Sequence, residues 1–174
     1  MRYTKRALVA LACAFAMLPA GVAVAGSGPA PKPSERQQAK EAAPSAAGNP
    51  TSARAEAAGV CADAYSIGTT GYIYRSGVKI ASVKQFYSPN CGENYGYLWV
   101  WDSFKQANSD YDVTVGVYSY SQDEILGQRS WLNSSGQEYW SLGTYTVGEC
   151  TAGVGSLRRA GDPLSNQAAS SKRC

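Results

Sequence analysis

The feature that most constrains the fold is an aromatic stretch from Phe86 to Phe104, which reads FYSPNCGENYGYLWVWDSF. Successive side chains of a β-strand point to opposite faces. One face would therefore carry Tyr95, Tyr97, Trp99 and Trp101, and the other Leu98, Val100 and Phe104. Both faces are apolar or aromatic, which is typical of a central strand, or of a strand with one core face and one aromatic display.

Short β-like runs surround this stretch and are separated by turn residues, for example Ser76 and Gly77. The predicted strands are Tyr65–Ile67, Tyr72–Arg75, Val78–Tyr87, Tyr95–Phe104, Tyr111–Tyr120, Ile125–Leu132 and Tyr139–Val147. Their hairpin spacing, without an amphipathic helix between them, predicts an all-β domain, a small antiparallel sandwich or barrel. In the run from Tyr111, the valines alternate with Gly116 and Tyr118, so valines and tyrosine would face opposite sides. Residues 151–173 are small and polar, and we expect them to be irregular or to form one short helix.

The first 25 residues have the pattern of a secretory signal peptide. A basic start with Arg2, Lys5 and Arg6 precedes an apolar run, and the segment ends in Ala23-Val24-Ala25. This order predicts export with cleavage after Ala25, and the run is too short for a membrane anchor. Removing the three basic residues leaves 13 basic and 13 acidic residues. A mature chain without net charge gives no electrostatic basis for binding nucleic acid or an anionic membrane.

Residues 26–60 are rich in Ala, Pro, Ser and Gly and lack large apolar side chains. Such a composition buries too little surface to offset the entropy of ordering. We therefore expect a disordered linker over 26–60, followed by a secreted β domain over 61–174.

Four cysteines remain after the predicted cleavage, namely Cys61, Cys91, Cys150 and Cys174. An even number in an exported domain indicates two disulfides, for which three pairings are possible. We favour Cys61–Cys91, which joins the start of the domain to the turn after Pro89, and Cys150–Cys174, which ties down the last residue. No C-x-x-C motif and no histidine are present, so neither a zinc site nor a cofactor is expected.

The absence of histidine removes Ser-His-Asp and Cys-His hydrolases from consideration. A carboxylate pair could still act in a small extracellular hydrolase, which is our alternative function. The candidates are Glu93, Asp102, Asp110, Asp112, Asp123, Glu124 and Glu138. A glycosidase needs two of them facing each other across a cleft, and their spacing identifies no pair, so no catalytic residue is assigned.

The segment from Asn108 to Asp112 has the alternating oxygen ligands of a calcium loop. It lacks the glycine and the distal glutamate of such loops. We therefore favour an Asx-rich turn between two strands.

The turn Phe86-Tyr87-Ser88-Pro89-Asn90-Cys91 resembles one found in small secreted bacterial proteins, many of them actinobacterial, whose function is unknown. In that group an early cysteine precedes an aromatic-Tyr-Ser-x-x-Cys turn and an aromatic strand, and Cys61, Tyr87, Ser88 and Cys91 match this pattern. A weaker resemblance is to spore-associated secreted proteins, which also begin with a Val-Cys segment and end on cysteine. Neither resemblance implies an activity.

The aromatic row is the main functional candidate in the sequence. Tyr95, Tyr97, Trp99 and Trp101 either fill the interior of the domain or form a platform that stacks on sugar rings. The sequence thus predicts a secreted, non-catalytic binding or surface-associated module, with a polysaccharide or a cell-wall component as the candidate ligand.

Overall fold

The fold is an antiparallel β-sandwich with two short helices. The computed structural model describes residues 41–174. Its elements are α1 (Ala53–Ala57), β1 (Tyr65–Arg75), β2 (Val78–Ser88), β3 (Glu93–Val100), α2 (Asp102–Ala107), β4 (Tyr111–Ser119), β5 (Glu124–Ser134), β6 (Glu138–Trp140), β7 (Thr151–Arg159) and β8 (Asn166–Ala169). The predicted fold class and both favoured disulfides, Cys61–Cys91 and Cys150–Cys174, are confirmed. The predicted signal peptide and the first part of the linker, residues 26–40, lie outside the described residues.

The strands form two sheets of four, with the orders β1-β2-β3-β6 and β5-β4-β7-β8. Every pairing is antiparallel. The predicted turn at Ser76 and Gly77 joins β1 to β2, and both residues have positive φ, 50° and 77°. Two successive positive φ values belong to the hairpin turn that matches the twist of the strands.

The main core lies between the two sheets. The first sheet contributes Val83, Leu98 and Val100, and the second contributes Val113, Val115 and Leu157, all buried. Leu98 and Val100 therefore share one face of β3, as the alternation predicts, and this face packs between the two sheets. Burial of each such aliphatic side chain contributes about 1.5–3 kcal/mol.

The expectation that residues 151–173 are irregular or helical is wrong. β7 is a central strand between β4 and β8. A Cβ on Gly153 would lie 2.4 Å from the Lys84 carbonyl oxygen, and one on Gly155 would lie 2.8 Å from Leu98 Cδ1. The two sheets therefore approach too closely for larger residues, and the glycines that permit this contact hide the strand pattern.

Two predicted strands are shorter in the structure. β3 ends at Val100, where the backbone of Trp101 bonds to Ile80 (2.9 Å), and helix α2 follows with Phe104 packed into the core. The run predicted over Tyr139–Val147 contributes only the three residues of β6 before the chain becomes irregular.

The predicted disordered linker is wrong from residue 41 onward. Residues 45–64, here called the N-terminal cover, pack against the outer face of the first sheet. Ser52 caps α1 by accepting a hydrogen bond from the backbone N–H of Ala55 (3.1 Å). Ala55, Ala58 and Val60 are buried against aromatic rings. The cover can be ordered although it has little apolar area of its own, because the sheet supplies the large side chains.

Candidate functional site

The structure places the aromatic row of β3 on one face, as predicted, but this face is covered. Tyr95 and Tyr97 are fully buried, Trp99 is 8% exposed and Trp101 is partly buried. Of the two alternatives that the sequence leaves open, an interior row or an exposed platform, the structure therefore shows the interior row, because the N-terminal cover occupies the face. A role of these four residues in binding stays a prediction.

The covered rings form a tightly packed group. The ring centroids of Tyr97 and Trp140 are 4.5 Å apart, and those of Phe86 and Trp140 are 4.8 Å apart. The Tyr97 hydroxyl donates to the carbonyl oxygen of Ser45 (2.5 Å), so the cover also satisfies a buried polar group. Burial raises the pKa of Tyr97 above its usual value, which keeps this hydroxyl a donor.

Glu138 is a buried carboxyl group beneath the cover, with 4% of its surface exposed. Its Oε1 accepts hydrogen bonds from Ser52 Oγ (2.9 Å) and Trp140 Nε1 (3.0 Å). Its Oε2 has no hydrogen-bond partner among residues 41–174. Burial raises the pKa of this carboxyl group, and its two hydrogen bonds oppose the shift in part.

None of the other candidate carboxylates lines the groove on the outer face of the second sheet, so they form no catalytic pair there. Asp112 is paired with Arg158 and also accepts from the backbone N–H of Asn133 (3.0 Å). Asp102 accepts from Gln137, and Asp123 from Tyr118. Asp110 and Glu124 are exposed.

The remaining carboxylate, Glu93, lies close to a disulfide. One of its carboxylate oxygens and the sulfurs of Cys61 and Cys91 lie within 4.8 Å of one another. Because both sulfurs belong to the disulfide, they offer no thiolate to a metal ion. Glu93 instead accepts a hydrogen bond from the Tyr95 hydroxyl (2.6 Å).

The candidate calcium segment, residues 108–112, links α2 to β4 and includes the first two residues of β4. It therefore follows a helix and does not join two strands as predicted. The Asn108 amide donates to the carbonyl oxygen of Phe104 (2.8 Å), and the Asp112 carboxylate is engaged by Arg158. These contacts direct the two side chains to different partners, as expected for a polar turn.

The outer face of the second sheet carries an open groove of about 510 Å³. Thr114 and Gly116 on β4 and Val154 and Ser156 on β7 form its floor. Ile125 and Gln128 from β5 line one end, and Gln167, Ala168 and Ala169 from β8 line the other. The groove is therefore built from all four strands of the sheet.

Two aligned rows of residues create this groove. In one row Thr114 pairs with Ser156, which pairs with Gln167; in the other Gly116 pairs with Val154, which pairs with Ala169. These floor side chains are small, and longer side chains stand at the two ends of the groove, Ile125 and Gln128 on β5 and Gln167 on β8. A Cβ on Gly116 would lie 2.5 Å from Ile125 Cγ2, so the side chain of Ile125 lies directly over this position.

Among residues 41–174, no charged side chain lines the groove. The hydroxyls of Thr114 and Ser130 hydrogen-bond to each other (2.9 Å) at its edge. By contrast, Gln128 and Gln167 make no side-chain hydrogen bond within residues 41–174, so both amides can donate and accept toward a ligand. The groove thus offers uncharged hydrogen-bonding groups beside apolar surface.

A smaller cleft of about 190 Å³ lies at one end of the sandwich. Its inner wall includes Asn94 and Thr151, which both bond to the buried Gln85 amide nitrogen (3.1 and 2.6 Å). Glu149 and Arg173 also line the cleft. Most of its buried polar groups hydrogen-bond to each other, so we interpret the cleft as a hydrogen-bonded end of the core.

Sequence reasoning did not single out the groove residues. The alternation in β4 did place Gly116 and Tyr118 opposite the valines, and the structure confirms that the valines are buried. A groove, however, depends on the register of four strands, and this register is not visible in any one segment.

No protein-family model matches the chain, and neither a curated protein nor a solved structure is significantly similar to it. Within residues 41–174, no helix is long and apolar enough to cross a membrane.

Proposed function

We propose that the protein is a secreted, non-catalytic binding module whose groove on the second sheet holds a polysaccharide or a polysaccharide part of a cell wall. The observation that carries this proposal is the groove itself, which is open, uncharged and lined by hydroxyl and amide groups. Binding sites of this kind combine apolar contact surface with a few polar groups that fix the ligand.

The chemistry of the groove favours this ligand over other classes. Nucleic acids and anionic membranes are held largely by Lys and Arg, and neither residue type lines the groove in the part of the chain that the structure describes. An extended peptide gains affinity by pairing its backbone with a free strand edge. The floor strands β4 and β7 are each paired on both sides, so their backbones are already used.

Two features support action outside the cell. Disulfides persist in oxidising compartments and are rare in the cytosol, and all four cysteines of residues 41–174 are paired. The basic and apolar start of the chain has the order of a secretory signal.

The test is a pull-down of the mature protein with insoluble polysaccharides and with isolated bacterial cell wall. Ser156→Trp would fill the floor of the groove, whereas Leu164→Trp adds the same side chain at a position that is 78% exposed and outside the groove. We expect the Ser156 variant to lose retention and the Leu164 variant to keep it. Retention of both variants would count against the proposal. Failure of the wild-type protein to be retained on any matrix would also count against it.

A further inference from the structure

We infer that the groove takes an uncharged glycan chain that lies across the four strands, with the amides of Gln128 and Gln167 hydrogen-bonding it at opposite ends of the groove. This inference rests on the proposed function and specifies the direction, length and chemistry of the bound ligand.

The direction follows from the register. The lining residues occupy two adjacent rows that run from strand to strand, Thr114–Ser156–Gln167 and Gly116–Val154–Ala169. Gln128 belongs to the second row, because the β-bulge between β4 and β5 brings it opposite Gly116. The Cα of Gln128 lies 3.5 Å from the point that a Cβ on Gly116 would occupy. A depression that is two residues wide and four strands long fits a chain that crosses the strands.

The length follows from strand spacing. Four strands about 4.8 Å apart span about 14 Å from β5 to β8, which is roughly three pyranose rings placed end to end. A longer chain would extend past β5 or β8, beyond the residues that line the groove.

The chemistry follows from what the groove contains and from what lies outside it. Sugar hydroxyls both donate and accept, as the two amides do, and the C–H faces of the rings can lie on Val154 and Ile125. The Asp112–Arg158 ion pair lies two positions beyond the Thr114–Ser156 pair, at one side of the groove, and Tyr118 lies two positions beyond Gly116, at the other side. Neither the ion pair nor Tyr118 lines the groove. A chain that runs along the strands would reach these groups, whereas a chain that crosses the strands would not.

The experiment is calorimetric titration of the mature protein with neutral oligosaccharides of two to six units. The probes are β-1,4-linked glucose, β-1,4-linked N-acetylglucosamine and α-1,4-linked glucose series, together with polygalacturonate as an anionic polymer. We expect affinity for at least one neutral series to rise up to about three units and then to level off. We expect no saturable binding of polygalacturonate.

Four variants distinguish the direction of the chain. Gln128→Ala and Gln167→Ala should each weaken binding by about three- to tenfold, the effect of losing one neutral hydrogen bond. Tyr118→Ala and Arg158→Ala should leave the affinity unchanged. The same is expected of Gln106→Ala, a matched control at an exposed position of α2.

The reverse pattern, or affinity that keeps rising up to six units, would overturn the inference while the proposed function stands. Preferential binding of polygalacturonate would overturn the uncharged ligand class. Failure to bind any oligosaccharide, together with failure of the pull-down, would overturn both proposals.

Discussion

The two outer faces of the sandwich differ in composition and in exposure. The first sheet presents Tyr97, Trp99 and Trp140, and its face is covered by residues 45–64. The second sheet presents Thr114, Ser156 and Val154, and its face is open. The face that looks like a binding surface in the sequence is thus buried, and the face with an unremarkable composition carries the groove.

This difference shows that exposure is decided by what the rest of the chain can cover. Large rings left in water are unfavourable, and a segment of small residues can lie flat on them and exclude water. The cover supplies Ala55, Ala58 and Val60, which leave room for the rings below. The second sheet has few large outward side chains, so little is gained by covering it.

The largest expected effect is on the covered face. Trp140→Ala and Trp99→Ala should each lower the free energy of unfolding by about 3–5 kcal/mol, because each leaves a large cavity beneath the cover. Denaturant unfolding curves measure this loss. An unchanged midpoint for Trp99→Ala would mean that this face is not core and would erase the contrast between the two faces.

A slightly smaller effect is expected from the disulfide that anchors the cover. Cys61 and Cys91 are 30 residues apart, and in the chain-entropy account such a crosslink contributes about 3–4 kcal/mol. The double substitution to Ser should lower stability by that amount and should make residues 45–60 sensitive to protease. Cleavage rates of the oxidised protein provide the control. Equal cleavage of both proteins would show that the disulfide does not hold the cover in place.

The pH dependence of stability should have opposite signs on the two faces. Burial raises the pKa of Glu138 above its ordinary value of 4.5, so the stability it contributes is present at low pH and is lost as the pH rises through the shifted pKa. Arg158 lowers the pKa of Asp112 below 3.8, so its contribution is lost as the pH falls through that range.

Two amide variants separate these contributions. Compared with wild type, Glu138→Gln should remove a decline in unfolding free energy above pH 4.5, and Asp112→Asn should remove a decline on the acid side. Unfolding curves from pH 2 to pH 8 measure both. A steeper decline above pH 4.5 in the Glu138 variant would contradict the burial of a neutral carboxyl group beneath the cover.

The smallest expected stability effect is on the open face. Gln128→Ala and Gln167→Ala should change the free energy of unfolding by no more than about 0.5 kcal/mol, because these side chains lie on the surface and make no hydrogen bond within the described residues. A loss near that of Trp140→Ala would show that the groove residues hold the fold together.

The sequence predicts the parts of the fold that are local. The alternation in β3 and β4, the turn at Ser76 and Gly77, and the two disulfides are visible in one segment or in the cysteine positions. The strand β7 was missed because Gly153 and Gly155, which allow the sheets to approach, weaken the strand pattern. The cover was missed because its own composition favours disorder, and its partner face lies in a later part of the chain.

The candidate site is less predictable than the fold. The aromatic row was placed on one face correctly, but its exposure depended on residues 45–64. The groove depends on the alignment of Thr114 with Ser156 and Gln167, and these residues are more than 50 positions apart at the extremes. Small and amide side chains also carry little signal when they are considered one at a time.

The most direct test of which face binds is an NMR titration of the mature protein with the tightest-binding oligosaccharide. The account predicts shift changes in the backbone amides of Thr114, Ser156 and Gln167, while Tyr97 and Trp99 and the amides of residues 45–60 stay unchanged. Shift changes concentrated at Tyr97, Trp99 and residues 45–60, without changes along β4 and β7, would contradict it.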